Sequence, residues 1–447
     1  MLITNAKLIT WETPNRILED QGILIEGGLI QEMGKSDDML EKHPQEERLN
    51  AHSQYVMPGN ICAHTHFYGA YARGMALHGS APDAFPEILR KLWWPLDLAL
   101  TPKAVEYSAW MCLIDAIQHG TTTLIDHHAS PNCIDGSLDI IAETVLKAGL
   151  RASLSYEVTD RNGRDGAKAG IRENLRFANA VRTNNAGGCL SAMFGLHASL
   201  TLSDETLEEC RNALPEGLGF HVHVAEHPVD EYDSLEKSGL RVVDRLEKHG
   251  ILGEKTIVVH AVHVDAHEME ILADTRTWVT HQPRSNMNNA VGLPRVSDML
   301  RMGIRVGLGN DGFSNTMWDE WKAAYLAHKL LNGDPRWMPA DMIARMAVDN
   351  NRALVEAIFD CAPVGIIAPG AAADLIFVDY HPFTPLTPGN LPWQIVFGFS
   401  ESMITTTIVN GNILMNDRQL TTIDVEKLTS EARALAPGVW ERYEAQF

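Results

Sequence analysis

The feature that most constrains the fold of this chain is an alternation, from Val56 onward, of short apolar runs with longer helical patterns. Eight of the runs have the length and composition of strands: Ile61–His66, Thr122–His127, Ala152–Glu157, Ala192–His197, Gly219–Ala225, Thr256–Val262, Thr277–His281 and Ile304–Asp311. Helical patterns lie between them, as in Lys103–His119, Asp139–Ala148, Glu205–Ala213, Gly239–His249 and Val296–Met302. Eight strands separated by helices are typical of a parallel barrel. The sequence therefore predicts an α/β fold, a (β/α)8 TIM barrel.

The two ends of the chain have a different composition, rich in strands and turns. Gly27-Gly28 and Asn410-Gly411 are hairpin signals between apolar runs. We expect residues 1–55 and 363–423 to pair into a small β-sandwich domain, and residues 56–362 to form the barrel. Residues 424–447 are predicted to be closing helices, Asp424–Ala434 and Val439–Gln446. The long aromatic segment 67–101 follows the first barrel strand, where loops of this length are often active-site lids.

Charge and cysteine content exclude several classes of protein. The chain has 37 Lys and Arg against 58 Asp and Glu, a net charge of −21, so we expect it to bind neither nucleic acid nor an anionic membrane surface. It has no apolar run long enough for a transmembrane helix and no signal-peptide pattern. Its six cysteines form no CxxC pair, which suits reduced thiols. The sequence therefore predicts a cytoplasmic protein with a large apolar core.

Two pairs of histidines with His-x-His spacing lie on predicted strands. Residues two apart on a strand point to the same face, so His64 and His66 share a face, as do His221 and His223. Two neighbouring imidazoles can hold a divalent metal ion. Each pair also suits ordinary strand histidines, and the spacing alone leaves either His221 or His223 as a ligand.

Further ionisable groups follow at the ends of the later strands. Glu226 comes three residues after His223, where a carboxylate can move protons beside a metal-bound water. His260 ends the run TIVVH, and Asp311 ends VGLGND. A carboxylate there is either a costly buried charge or a working group. The carboxyl ends of barrel strands form the active-site rim, so the whole set predicts a metal-dependent active site.

These residues lie in motifs that resemble a known family. The motifs are MPGNICAHTH, HGTTTLID, GLHAS, HVHVAE, VVHAVH, SNMNNAVG, GLGNDGFSN and APGAAADLIFVD with VNGNIL. They resemble the amidohydrolase superfamily in its cytosine-deaminase-like and chlorohydrolase-like branch, and they run over most of the chain. Within that branch DHHASPNC, SYEVTDRNG and NDGFSNTMWDEWK are most similar to SsnA-type aminohydrolases.

The resemblance implies a role for each residue of the set. One divalent metal ion per chain, zinc or iron, would be held by His64, His66, His223 and Asp311. Asp311 would also take a proton from the bound water, Glu226 would carry protons to the ring nitrogen and the leaving group, and His260 would orient the hydroxide. Two-metal members of the superfamily have a bridging lysine near the end of strand four. The run SAMFGLHAS has none there, so a mononuclear site is predicted.

Several rim residues are candidates for contact with the substrate. The six candidates are His197, Trp93, Trp94, Arg73, His128 and Glu157. Trp93 and Trp94 could stack on a flat heterocycle or belong to a helix core. Arg73 could bind a carbonyl or carboxylate, or form a surface ion pair. Ser285 and Asn286, after strand seven, are expected to cap the following turn.

The favoured function is that of a metal-dependent aminohydrolase that deaminates a purine-like or pyrimidine-like heterocycle. Glu226 and His260 favour it, because protonation of a ring nitrogen needs such a pair. One alternative is a hydrolase of the same fold that acts on a cyclic amide or an aryl chloride. Another is a non-catalytic metal-binding protein, which would leave Glu226 without a role. The partner is a small heterocyclic molecule, and association into homo-oligomers is implied by the resemblance alone.

Overall fold

The computed structural model describes residues 1–447, and its strands fall into three groups along the chain. The first group is β1 (Leu2–Ile9), β2 (Ile17–Glu26), β3 (Leu29–Lys35), β4 (Arg48–Asn50) and β5 (Tyr55–Pro58). The second is β6 (Asn60–Thr65), β7 (Thr121–Asp126), β8 (Arg151–Leu154), β9 (Leu190–Ala192), β10 (Phe194–Ala198), β11 (Phe220–Val224), β12 (Ile257–His260), β13 (Trp278–His281) and β14 (Val306–Leu308). The third is β15 (Leu375–Val378), β16 (Ile404–Val409), β17 (Asn412–Asn416) and β18 (Gln419–Leu420).

Helices separate most of the strands of the second group. In chain order they are α1 (Ser36–Lys42), α2 (Phe85–Ile88), α3 (Trp94–Ala99), α4 (Pro102–Gln118), α5 (Ser137–Ala148), α6 (Gly163–Thr183), α7 (Asp204–Ala213), α8 (Pro228–Ser238), α9 (Val242–Lys248), α10 (Ala266–Asp274), α11 (Pro283–Asn288), α12 (Val296–Arg301), α13 (Met317–Asn332), α14 (Ala340–Ala344), α15 (Asn351–Ile358), α16 (Leu391–Gly398) and α17 (Val425–Glu444). None of them combines the length and the apolar composition that a membrane span requires.

The middle of the chain forms two parallel sheets. Strands β6 to β9 pair in sequence order in one sheet, and β10 to β14 pair in sequence order in the other. Backbone hydrogen bonds connect the sheets at both edges, from Met193 N to Leu154 O at 3.1 Å and from Asn310 N to His64 O at 3.0 Å. The eight predicted strands all occur, the fourth being divided into β9 and β10. The prediction of an α/β fold with parallel strands is confirmed.

Strands from both ends of the chain form one nine-stranded sheet, ordered β18-β17-β16-β15-β5-β1-β2-β3, with β4 paired to β1. Strand β15 pairs antiparallel with β5, through Met57 opposite Ile376, and thereby joins the two ends. The strand pairing describes a single sheet rather than the two facing sheets of the predicted sandwich. Strand β5, immediately before the first barrel strand, belongs to this sheet as well.

One predicted element differs in the structure. The two predicted closing helices are a single helix, α17, which continues through Pro437. Proline removes one helical hydrogen bond, and the sequence around Pro437-Gly438 therefore predicted a break. Helix α17 packs along α3 and α4, and such packing outweighs a local preference.

A buried ion pair connects the first parallel sheet to the terminal sheet. Arg151 on β8 donates from Nε to Asp374 Oδ2 at 3.1 Å and from Nη2 to Asp374 Oδ1 at 3.3 Å, and only 1% of either side chain is exposed. Asp374 Oδ1 also accepts the backbone N–H of Asn410 at 2.7 Å. Every oxygen of the carboxylate is therefore bonded, as a buried charge requires.

We expect Arg151→Met to lower the free energy of unfolding by about 3–5 kcal/mol, because it leaves the Asp374 carboxylate buried without its cation. Urea denaturation followed by circular dichroism measures the change. Arg336→Met is the matched control: Arg336 is 89% exposed and pairs with Asp334, so its loss should cost about 1 kcal/mol or less. Equal destabilisation by the two substitutions would contradict the structural role of the buried pair.

Candidate active site

The four residues predicted to bind a metal lie together where β6, β11 and β14 end. Asp311 Oδ1 is 2.9 Å from His64 Nε2 and 3.1 Å from His66 Nε2. His66 Nε2 is in turn 3.2 Å from His223 Nε2. Three imidazole nitrogens and one carboxylate oxygen therefore converge on one point. Such a donor set suits a divalent transition metal ion.

The other ring nitrogens of these histidines are held from behind. The contacts are His66 Nδ1 to the His127 carbonyl oxygen at 2.6 Å, His223 Nδ1 to the His197 carbonyl oxygen at 2.8 Å, and His64 Nδ1 to His221 Nε2 at 2.9 Å. An Nδ1–H that donates to an acceptor leaves the Nε2 lone pair free for a metal. The sequence left either His221 or His223 as a ligand. The structure places His223 in the convergent set and His221 behind His64.

The ionisation states of His64, His223 and Asp311 suit a bound cation. Burial lowers the pKa of His64 to about 3 and holds that of His223 well below its ordinary value, so both imidazoles are neutral, as ligands must be. Burial would lower the pKa of His66 too, but the hydrogen bond and charge of Asp311 outweigh it and raise this pKa to about 9. Although burial opposes it, the charge of His260 and the bonds from His64 and His66 hold the pKa of Asp311 well below the usual range. The anionic Asp311 therefore attracts positive charge to this point.

His260 and Glu226 lie beside the cluster, as predicted for catalytic groups. His260 Nε2 is 3.4 Å from Glu226 Oε2 and 3.8 Å from Asp311 Oδ2, and its Nδ1 is 2.9 Å from Asn286 Oδ1. Asn289 donates from Nδ2 to Glu226 Oε1 at 3.2 Å. Burial raises the pKa of Glu226 to about 7, against the opposing charge of His260. Glu226 can therefore hold or release a proton near neutral pH.

Three residues of this region have a left-handed backbone. Ala225, directly before Glu226, has φ +47°, His260 has φ +71° and Asp311 has φ +57°. Residues other than glycine rarely adopt this conformation, which costs on the order of 1–3 kcal/mol at each position. The surrounding structure stabilises this strained backbone conformation, which directs the side chains at the strand ends toward one point.

A cavity of about 940 Å³ opens above the cluster. Five of the six predicted substrate-binding residues line it: His197, Trp93, Trp94, Arg73 and Glu157. Trp94 lies beneath the Arg161 guanidinium, 4.9 Å from its ring centre, and Trp93 packs edge-on against Tyr68. The segment 67–101 therefore forms one wall of the cavity. Its volume is at the upper end of the range for small-molecule sites.

His128 is placed differently from the expectation. It is fully buried, its Nε2 is 2.8 Å from Ser130 Oγ, and it does not line the cavity. The backbone after β7 instead directs the preceding residue, His127, into the histidine cluster, where neither ring nitrogen has a hydrogen-bond partner. Both residues lie at the end of the strand in the sequence, so the sequence gives no means of choosing between them.

Other functional contacts were not predicted. Ser285 Oγ donates to Asp311 Oδ2, and Asn286 bonds His260, although the sequence suggested only turn capping for this pair. Asp97 forms an ion pair with Arg161 at 2.9 Å in the cavity wall. The two residues lie in segments that are far apart in the sequence. The motif SNMNN was the available signal, since its polar residues follow strand seven directly.

The chain is similar to known proteins over nearly its whole length. The Amidohydrolase family pattern matches residues 55–414. A 5-methylthioadenosine/S-adenosylhomocysteine deaminase of Pelotomaculum thermopropionicum is 32% identical over 446 residues, covering 98% of each chain. A 5'-deoxyadenosine deaminase of Methanosarcina mazei is 30% identical over 443 residues, 98% of this chain and 97% of that one. The crystal structure of an adenosine deaminase from Xanthomonas campestris with bound zinc has a TM-score of 0.84 at 21% identity, over 98% of both chains, and shares the fold.

We expect His66→Ala and His223→Ala each to lose most of the metal that the parent protein retains after dialysis, because each removes one of four convergent donors. Plasma mass spectrometry of the purified protein measures metal per chain. His227→Gln is the control, since His227 lies at the cavity rim and caps α8 outside the cluster. Full metal content in both alanine variants would refute this donor set.

Proposed function

The chain belongs to the amidohydrolase family, and from this membership we propose that it is a metal-dependent aminohydrolase that deaminates the adenine ring of a 5'-substituted nucleoside. It is a hydrolase of C–N bonds other than peptide bonds. The observation that carries the proposal is Glu226, a carboxyl group with a pKa near 7, placed beside His260 and the His-Asp cluster. The adenine nucleoside part of the proposed substrate is taken from the names of two relatives, a 5-methylthioadenosine/S-adenosylhomocysteine deaminase and a 5'-deoxyadenosine deaminase.

His64, His66, His223 and Asp311 are proposed to hold one divalent ion, with zinc ahead of iron because a relative of the same fold was crystallised with zinc. A bound divalent ion supplies a water molecule that is deprotonated near neutral pH. His64 and His223 present neutral nitrogens to this point, and the Nδ1 bonds of His66 and His223 hold their rings in position.

The protein's own groups move the protons of the reaction. Asp311 Oδ2, which accepts the hydroxyl of Ser285, is placed to take the proton of the attacking water. Glu226 gives its proton to a ring nitrogen, which makes the neighbouring carbon electrophilic. After the attack it takes the remaining proton of the new hydroxyl group and passes it to the departing amino group, and the proton held by Asp311 then restores the acid form of Glu226. Water oxygen bonds to that carbon, the C–N bond breaks and ammonia leaves. His260, 3.4 Å from one carboxylate and 3.8 Å from the other, orients the reacting groups between them.

The cavity walls suit a flat heterocycle with a substituent. Trp93 and Trp94 present aromatic rings that can stack on a purine, while His197 and Glu157 lie beside the cluster. Glu157 is fully buried, and burial raises its pKa to about 7, so it can donate a hydrogen bond to the substrate as a neutral acid. The volume of about 940 Å³ leaves room beyond the ring for a sugar and its 5' substituent.

We also propose a domain organisation and a cellular location for this chain. The two parallel sheets, hydrogen-bonded at both edges, form one closed barrel within residues 56–362. Residues 1–55 and 363–423 are proposed to form one small β domain, built on the nine-stranded sheet with a separate 14-residue apolar core, and residues 424–447 to cover the barrel. The six free cysteines support a cytoplasmic location, and homo-oligomers remain a proposal from the family resemblance.

We expect the parent enzyme to release ammonia from 5-methylthioadenosine, S-adenosylhomocysteine and 5'-deoxyadenosine, and Glu226→Gln to lower kcat by at least about 100-fold with metal content unchanged. Glutamine preserves the shape of the side chain but cannot transfer the proton. Glutamate dehydrogenase coupling detects the ammonia. Release of chloride from an aryl chloride, or of a ring-opened product from a cyclic amide, with no ammonia from the nucleosides would replace the proposal by its alternatives.

Because the acid form of Glu226 must give the proton, kcat/KM should fall as the pH rises through about 7, where that form is lost. The N–H of Asn289 stabilises the Glu226 carboxylate and lowers its pKa, so Asn289→Ala should move this fall to higher pH. Asn179→Ala is the control, since Asn179 is exposed on α6 and lies outside the cavity. A shift to lower pH in Asn289→Ala would contradict the assigned role of the carboxyl group.

A further inference from the structure

His127 lies among the three histidines of the proposed metal site. Its ring centre is 4.9 Å from that of His223, 5.8 Å from that of His66 and 5.9 Å from that of His64. Those three rings are themselves 4.7–5.2 Å apart. One ring nitrogen from each of the four histidines lies within 4.8 Å of the others. Two nitrogens that bind one zinc ion at about 2.0–2.1 Å each are up to about 4 Å apart, so the four nitrogens lie near the span that one ion requires.

The ring nitrogens of His127 have no hydrogen bond, although the side chain is fully buried. Nδ1 faces the Glu157 carboxylate, with Oε1 at 3.4 Å, whereas Nε2 has neither a hydrogen bond nor an ion pair. His127 does not line the cavity, so bulk water does not solvate it from there. A buried polar atom without a partner costs free energy, and the unpaired Nε2 therefore points to a ligand at this place.

Other buried histidines of this region are satisfied differently. His128 Nε2 bonds Ser130 Oγ at 2.8 Å, and His260 Nδ1 bonds Asn286 Oδ1 at 2.9 Å. Among the histidines of the chain, only His127 has two ring nitrogens that are both buried and without a hydrogen bond. The missing partner is therefore a property of this position and not of buried histidines in general.

The contact with Glu157 matches the arrangement that orients metal-binding histidines, in which the second ring nitrogen donates to a carboxylate or a carbonyl oxygen. Glu157 Oε1 is buried, has no hydrogen bond, and lies 3.4 Å from His127 Nδ1 and 3.5 Å from His66 Nδ1. His66 Nδ1 already bonds the His127 carbonyl oxygen at 2.6 Å, which leaves Oε1 to His127. His127 thus repeats the pattern of His223, whose Nδ1 bonds a carbonyl oxygen while its Nε2 is directed to the site.

We infer that His127 is a fifth protein donor to the metal ion, bound through Nε2 with its Nδ1–H directed to Glu157. The inference rests on the proposed function, because it concerns the ion of the His-Asp cluster. His66, His223 and Asp311 line the cavity and His127 does not. A donor at His127 therefore leaves the cavity side of the site open to water and substrate.

X-ray absorption at the zinc edge counts the imidazoles bound to the ion and does not depend on activity. We expect four imidazoles in the zinc-loaded parent protein and three in zinc-loaded His127→Asn. Asparagine keeps an N–H near the position of Nδ1, and so retains the contact with Glu157, but has no group at the position of Nε2. His128→Asn is the matched control, since His128 is the next residue, is equally buried and lies outside the cluster. It should keep four imidazoles.

The affinity for Zn²⁺, measured by competition with a chelating dye, gives a second readout. We expect His127→Asn to lower it by at least about 100-fold, because a donor contributes more than the roughly 10–100-fold typical of a residue behind a ligand. Glu157→Gln should lower it by about tenfold in the parent and by less than about threefold in the His127→Asn background. An equal loss in both backgrounds would contradict the pairing of Glu157 with His127.

The remaining outcomes separate this inference from the proposed function. His260→Asn should keep four imidazoles, which excludes His260 as the fourth ligand even where His127→Asn fails to fold. Three imidazoles in the parent, or four in His127→Asn, overturns the inference and leaves the deaminase proposal intact. A parent protein that binds no zinc, or that is loaded with zinc and deaminates none of the nucleosides, overturns the proposed function instead.

Discussion

The site depends on one interaction, the contact of the Asp311 carboxylate with the imidazoles of His64 and His66. It joins the end of the last barrel strand to the first one, and the same residues also meet through their backbones, since Asn310 N and Asp311 N both donate to the His64 carbonyl oxygen. The donor set therefore exists only where the two parallel sheets meet. The four donor atoms therefore come together when the two parallel sheets pair at this edge.

Much of this arrangement follows from sequence, for clear physical reasons. A strand has a side-chain period of two, so His64 and His66 had to share a face, and parallel strands all end at one edge. The apolar runs located all eight strands to within a few residues. The spacing could not decide between His221 and His223, because that choice depends on which Nδ1 atom meets a carbonyl oxygen of the neighbouring strand.

The residues that the sequence missed are those fixed by tertiary structure. His127 rather than His128 enters the cluster because the backbone turns after Asp126, whose Oδ1 accepts the N–H of Phe67. The left-handed backbone conformations of His260 and Asp311 occur at residues other than glycine, so the sequence does not indicate them. Helix α17 continues through a proline because of what it packs against, and no local pattern contains that information.

The nine-stranded sheet has a consequence for the order of folding. Strand β5 pairs with β1 on one side and with β15 on the other. Ile376 of β15, which lies opposite β5, follows all of the parallel strands in the sequence. Closing so long a loop is entropically costly in an unfolded chain, and contacts of this range slow folding. Once the parallel sheets have formed, Pro58 and Asp374 lie close together, and the remaining search is that of two neighbouring ends. We therefore expect the terminal sheet to form after the parallel sheets, with Arg151 holding the incoming segment through Asp374.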